Sequence, residues 1–183
     1  MKPVIVIPEL IGSAGLELLA ESCECLAPWR EDGGSADALD LLPSADGIVV
    51  RTFCVTAELL DRAPRLRVIA KHGVGLDNID ISAATKRRIP VLFTPGTNAN
   101  AVAEHAIGLL LTLSRKIGPA EAAVRDGWRV ERSHFEGIEL ADRTLGIIGL
   151  GRIGKRLALK ASLGLGIEVI AYDPYIDRMD YRI

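Results

Sequence analysis

The chain has no charge excess, no long apolar run, few cysteines and no repeat or low-complexity segment, and each scarcity removes a class of function. Of 183 residues, 22 are basic and 24 acidic, giving a net charge of -2. The longest basic run is Lys86-Arg87-Arg88, so there is no electrostatic footprint for nucleic acid. No apolar stretch approaches the roughly 20 residues that span a bilayer. The opening Val4-Ile5-Val6-Ile7 is too short for a secretory core, stops at Pro8 and Glu9, and reads as a first strand. A cytoplasmic protein is expected, with neither membrane nor nucleic acid as partner. Three cysteines, Cys23, Cys25 and Cys54, are an odd number, and His72 and His105 have no metal-ligand spacing with them. Reduced, buried thiols and no metal site are expected, with Cys23 and Cys25 sharing one strand face.

What remains is an ordinary globular composition, 49% apolar and 25% charged, arranged as alternating strand and helix patterns. Strands are expected over 4–7, 23–26, 47–50, 67–71 and 91–93. Helices are expected over 14–20, 36–42 (after a break at Asp32-Gly33-Gly34), 56–62 with Thr56 as cap, and 81–88. Uniformly apolar strands in a βα alternation imply a parallel sheet covered on both faces. Ligands of such sheets sit at the carboxyl ends of strands. Three loops therefore converge on one edge: Arg51, His72-Gly73-Val74-Gly75, and Thr94-Pro95-Gly96-Thr97-Asn98. Asp77 and Asn78 are expected to cap the turn into the next helix.

A long helix is expected over about 100–117, ended by Gly118-Pro119. Val102, Ala106, Leu109, Leu113 and Ile117 form one stripe, which Ile107, Leu110 and Leu111 broaden, so burial on several sides is expected, by a second domain or a second subunit. A polar connector follows over 121–139, anchored by Trp128 and Phe135 and carrying a solvated His134. Glu104 and His105 read as packing residues of the helix.

The chemistry is densest near the C-terminus. Thr144-Leu145-Gly146-Ile147-Ile148 reads as a strand, Gly149-Leu150-Gly151-Arg152-Ile153-Gly154 as a glycine turn, 152–163 as a helix, and 167–172 as a second strand ending at Asp173. Gly149 turns the chain off the strand, Gly151 lets a pyrophosphate approach the backbone, and Gly154 lets the helix pack closely. The helix N-terminus offers the amides of Arg152 and Ile153 to phosphate. Asp173 is placed to accept hydrogen bonds from ribose hydroxyls and to repel a 2′-phosphate, which favours NAD over NADP. The bland reading of the same residues is a tight strand-to-helix connection without ligand.

These blocks, with Val50-Arg51-Thr52, Gly73-Val74-Gly75-Leu76-Asp77-Asn78-Ile79-Asp80 and Thr94-Pro95-Gly96-Thr97-Asn98 running into Val102-Ala103-Glu104-His105, resemble the D-2-hydroxyacid dehydrogenases. That group includes D-3-phosphoglycerate dehydrogenase, glyoxylate/hydroxypyruvate reductase and formate dehydrogenase. The resemblance implies an α/β chain: a flavodoxin-like parallel-sheet domain over 1–98, a helix and connector for interdomain and dimer contacts over 99–139, the first half of a Rossmann NAD-binding domain over 140–183, and a cleft between the domains. It implies hydride transfer between NAD and a D-2-hydroxy acid, of 3-phosphoglycerate or glyoxylate/hydroxypyruvate type. The partners implied are a small 2-hydroxy or 2-oxo acid and a second copy of the chain.

Residue by residue, the resemblance implies that the amides of Val74 and Gly75 bind the substrate carboxylate, with Val74 also beside the nicotinamide. Asn98 is a substrate contact or a helix cap. Arg51 is a positive charge for an anionic substrate or a solvated surface residue. Gly149, Gly151, Arg152, Ile153, Gly154 and Asp173 hold the cofactor. The family's arginine and its histidine–glutamate pair fall later than Asp173, so no catalytic residue is assigned. The expectation is a C-terminally truncated or fragmentary chain, or one completed by a partner copy, with little turnover alone and an uncovered side on the strands near Ile147 and Val169. The segment 176–183 has no clear pattern and reads as a foreign or frame-shifted tail. The competing reading is a non-catalytic module that binds NAD or dimerises through the long helix.

Overall fold

The computed structural model describes residues 1–30 and 37–176. The Asp32-Gly33-Gly34 break, the start of the helix expected from Ala36, and the tail beyond Ile176 lie outside the described residues. The chain divides into two compact units, Met1–Thr97 and Asn98–Ile183.

The first unit holds five parallel strands, β1 (Val4–Val6), β2 (Glu24–Leu26), β3 (Gly47–Val50), β4 (Val68–Lys71) and β5 (Val91–Leu92), in the order β2-β1-β3-β4-β5. This is the flavodoxin-like order, whose switch point lies between β1 and β3. The helices are α1 (Ser13–Ser22), α2 (Ala38–Leu41), α3 (Ala57–Asp61) and α4 (Ile81–Lys86). Strand alternation sends Val6, Ile48, Val50 and Ile69 into a core with Leu59, Leu60 and Ala84. Ile5 and Ile7 point to the other face, against Leu16 of α1. Both faces are therefore covered, which is why the central strands read as mainly apolar runs.

Two local expectations change. The cap of α4 is Asp80, whose Oδ1 accepts from the Ala83 amide at 2.8 Å, while Asp77 and Asn78 lie upstream of it. The carboxylate one residue before the first helical turn reaches the orphan amide; the earlier pair does not. Asp80→Ala should cost about 1 kcal/mol of stability, read as a lower urea midpoint with unchanged slope. The thiols also differ. Cys23 and Cys25 are half-buried and pack into one cluster, but Cys54 is exposed.

The second unit begins with α5 (Ala99–Ser114) and α6 (Ile117–Arg125). The expected single helix breaks at Lys116, which has a left-handed φ of 52°. The cause is Pro119. In a continuous helix its ring would strike the carbonyl of Arg115, four residues earlier. The break therefore falls a turn upstream, and Pro119 sits in the first turn of α6, where a missing N–H costs nothing. Within this single chain only Ala99 and Ala103 of α5 are buried; the wider stripe is the face expected to meet a second domain or a second subunit. α5 lies against α7 (Arg152–Leu165), while Leu109 and Leu113, in the apolar stripe, are 52% and 78% exposed. In the connector, the rings of Trp128 and Phe135 meet at 5.4 Å.

β6 (Thr144–Ile148), α7 and β7 (Glu168–Tyr172) form a parallel βαβ unit. Ile147, Leu150 and Ala158 form its core with Leu145 and Val169. On the other strand face Ile148, Ile170 and Tyr172 are exposed.

Candidate cofactor turn and anion-binding edge

In the second unit the glycine turn has the geometry its sequence requires. Gly149 has φ of 92°, a conformation L side chains rarely adopt. A Cβ on Gly154 would run into the carbonyl oxygen of Gly149, so helix and turn meet without room for a methyl group. A Cβ on Gly151 would meet nothing within 4 Å. The space beside that backbone is open, as a closely approaching diphosphate needs. Gly151 is the N-cap of α7 and provides no side-chain cap, so the first-turn amides at Arg152 and Ile153 keep no side-chain partner of that kind.

Asp173 follows β7 and turns back onto the glycine bend. Its Oδ2 accepts from the Leu150 amide at 2.7 Å and its Oδ1 from the Tyr175 amide at 2.9 Å. A carboxylate has about four acceptor positions, so each oxygen retains capacity for a further donor. These residues fit a dinucleotide: open backbone at Gly151, amides at a helix start, and a fixed carboxylate at the neighbouring strand end. Glu104 has a structural role, bonded to Lys160 of α7 at 3.1 Å and to Asn100 at 2.6 Å. The Lys160 hydrogen bond, then that of Asn100, holds its carboxyl below the usual range. Asn98 is the N-cap of α5, and its side chain makes no cap bond.

In the first unit the loops after β1, β3, β4 and β5 are joined by hydrogen bonds at one sheet edge. Arg51 is exposed after β3; its carbonyl accepts from Lys71 Nζ. Asn78 braces the same loop, donating Nδ2 to the Phe53 carbonyl at 2.6 Å and accepting from Lys71 Nζ through Oδ1. That bracing is its task in place of the expected cap. Gly73 has φ of 152°, and its carbonyl accepts from the Thr94 amide at 3.1 Å and from Thr94 Oγ1 at 3.0 Å. Val74 is half-buried and Gly75 exposed, with the Asp77 carboxylate beside it.

Two residues of this edge are missing from the sequence reading. Lys71 closes an otherwise apolar strand. Glu9 follows β1, and the rule that picked out the other loops applies equally to it. Its Oε2 accepts from the amides of Arg51 at 2.8 Å, Thr52 at 2.8 Å and Phe53 at 2.7 Å, and its Oε1 from the Thr52 hydroxyl. Burial, the largest single influence, pushes the Glu9 carboxyl up. The hydrogen bonds from the Thr52 hydroxyl and the three amides together outweigh it, leaving the group below the ordinary carboxylate range. A folded-state pKa that is depressed gives stability above the unfolded value, lost as pH falls through the folded value. The unaltered chain should therefore exceed Glu9→Gln in urea midpoint at neutral pH, and that margin should shrink in acid.

Residues 5–172 match the family model for the D-isomer specific 2-hydroxyacid dehydrogenase catalytic domain. The chain is 40% identical over 176 residues to a D-3-phosphoglycerate dehydrogenase of Mycobacterium leprae, covering 95% of this chain and 32% of that protein. It is 42% identical over 139 residues to a hydroxypyruvate reductase of Thermotoga maritima, covering 75% of this chain and 45% of that one. The crystal structure of D-lactate dehydrogenase from Aquifex aeolicus, complexed with NAD and lactic acid, superposes with a TM-score of 0.79 at 30% identity, covering 97% of this chain and 53% of that chain. This chain thus spans about a third of the first relative's length.

Proposed function

From the premise that the chain belongs to the D-isomer specific 2-hydroxyacid dehydrogenase family, we propose that it serves hydride transfer between NAD and a small D-2-hydroxy or 2-oxo acid. The observation that carries this is the Asp173 carboxylate seated on a glycine bend whose Gly151 side is open. NAD, when bound, supplies the acceptor for a hydride from C2 of the hydroxy acid. The amides of Arg152 and Ile153 hold the diphosphate, and Asp173 takes the ribose hydroxyls and repels a 2′-phosphate. Gly149 and Gly154 keep the bend in shape. In the first unit the amides of Val74 and Gly75 receive the substrate carboxylate as an anion nest, with Arg51 as a further substrate contact; in the second unit Asn98 is assigned the same kind of role. Residues 1–98 are the substrate part, 140–183 the cofactor part, and 99–139 join them. The lactic acid and NAD bound by the Aquifex aeolicus enzyme support the pairing of ligand classes.

The proposal extends to a cytoplasmic homodimer. Three free thiols favour a reducing compartment. The exposed Leu109 and Leu113 of α5 offer an apolar face to a second copy.

Amide-resolved NMR titration tests the reading. NAD should shift the amides of 149–154 and 173, and glycolate those of Val74 and Gly75. A carboxylate response missing beside a NAD response would leave a nucleotide-binding module. No response to NAD would remove the oxidoreductase reading altogether.

A further inference from the structure

Cys23 ends α1 as its C-cap, with an extended backbone at φ -125° and ψ 158°, and Cys25 is the middle residue of β2. Alternation along this extended run puts Cys23 and Cys25 on one face and Leu26 on the other. Burial agrees. Both thiols pack with Leu19 and Trp29 against the Ile5, Ile7 and Leu16 cluster, while Leu26 joins the opposite core and Glu24 is exposed. Burial, and then the neighbouring Cys23, push the Cys25 thiol up, while Lys2 acts in the opposite sense. The two sulfur groups are thus electrostatic neighbours, with an ammonium group in reach of Cys25. Lys2 is held at this corner, donating Nζ to the carbonyls of Ala20 at 3.0 Å and Glu21 at 3.1 Å. β2 is the outer strand of its sheet, and both thiols are half-buried, open to a small ligand.

Two residues of extended chain set the Cα atoms roughly 6.6 Å apart. The Cβ atoms point the same way and stay about as distant, whereas a disulfide needs about 3.8 Å between them. A direct bond is disfavoured; a bridge is not. Two metal–sulfur bonds of about 2.3 Å each span roughly 4.5 Å, which side chains on one strand face reach by leaning together. We infer that Cys23 and Cys25 form a two-coordinate site for a soft monovalent cation, copper(I), at the corner between α1 and β2. Among the described residues no group of three or more His, Cys, Asp or Glu side chains is placed to hold a metal. A four-coordinate zinc ion or an oxygen-seeking cation therefore finds no ligand set here, while copper(I) is satisfied by two thiolates, the soft ligands it prefers. On binding, two S–H bonds break, two copper–sulfur bonds form and two protons pass to solvent, with nothing oxidised or reduced. The complex carries one net negative charge, which Lys2 offsets. The corner lies toward the amino ends of the strands, away from the carboxyl-end loops of the anion-binding edge. It adds a binding function independent of the proposed hydride transfer.

Copper(I) is the probe, kept reduced by ascorbate without oxygen and metered by a coloured copper(I) chelator. It is titrated into the full chain and into Cys23→Ser, Cys25→Ser and Cys54→Ser. The unaltered chain and Cys54→Ser should each bind one copper(I) ion per chain with equal affinity. Cys23→Ser and Cys25→Ser should each lose at least about a hundredfold in affinity, the equivalent of 2.7 kcal/mol. Where a serine variant fails to fold, X-ray absorption at the copper edge of the loaded, unaltered chain decides. Two sulfur neighbours with no nitrogen or oxygen support the site, and any other ligand set overturns it. Sedimentation of the loaded chain should match that of the metal-free chain. Copper-driven association of two copies, dependence on Cys54, full affinity after either strand substitution, or no binding by the unaltered chain overturns the inference.

Discussion

Gly154→Ala and Gly151→Ala are expected to separate stability from binding. At Gly154 the added methyl group meets the Gly149 carbonyl oxygen, which is backbone and cannot swing aside. Overpacking of this kind costs about 1–3 kcal/mol. The relief available is to push α7 off the turn, which also moves the Arg152 and Ile153 amides. Gly154→Ala should thus lower the urea midpoint and weaken NAD binding together. At Gly151 the backbone is extended and the methyl group enters empty space. The fold should tolerate it nearly unchanged, with a shift under about 0.5 kcal/mol. The same methyl group would stand where a diphosphate must approach, and NAD affinity should fall by roughly a hundredfold, or about 2.7 kcal/mol. If Gly151→Ala bound NAD as the unaltered chain does, the open space beside it would have no part in binding.

Asp173→Ala carries the second large effect. The substitution leaves the Leu150 and Tyr175 amides without their carboxylate and removes the acceptor proposed for ribose. NAD affinity should drop at least about tenfold, since hydrogen bonds to a charged acceptor are worth about 1.5–3 kcal/mol. The discrimination against NADP should drop with it, because the repelling charge is gone. Asp173→Asn keeps one acceptor oxygen, so it should lose the discrimination and retain more of the NAD affinity. Calorimetric titration of both cofactors into the three chains decides this. Weakened folding with intact NAD selectivity would reduce Asp173 to a brace for the bend.

The strand-forming segments were legible because both sheet faces are covered. With apolar residues required in the strand interiors, Ile48-Val49-Val50 and Val68-Ile69-Ala70 stand out against their loops. The glycine turn was legible for a related reason: Gly149 and Gly154 each answer a backbone demand that no other residue meets. For α5, periodicity reports that a face is apolar without reporting what covers it. Ala99 and Ala103 are small enough to let α7 approach, and the larger Leu109 and Leu113 point elsewhere. The break at Lys116 was misplaced because a proline acts on the carbonyl four residues before it. Glu9 escaped notice because its partners are backbone amides more than forty residues away, and amides carry no signature in a sequence. Its position after β1 was the one available clue.

The most direct test is a calorimetric titration of the unaltered chain with NAD and, separately, with NADP. Saturable binding of one NAD per chain, tighter than NADP by at least about tenfold, is the result the Asp173 geometry requires. Absence of any saturable heat with NAD, or equal affinity for the two cofactors, would contradict it.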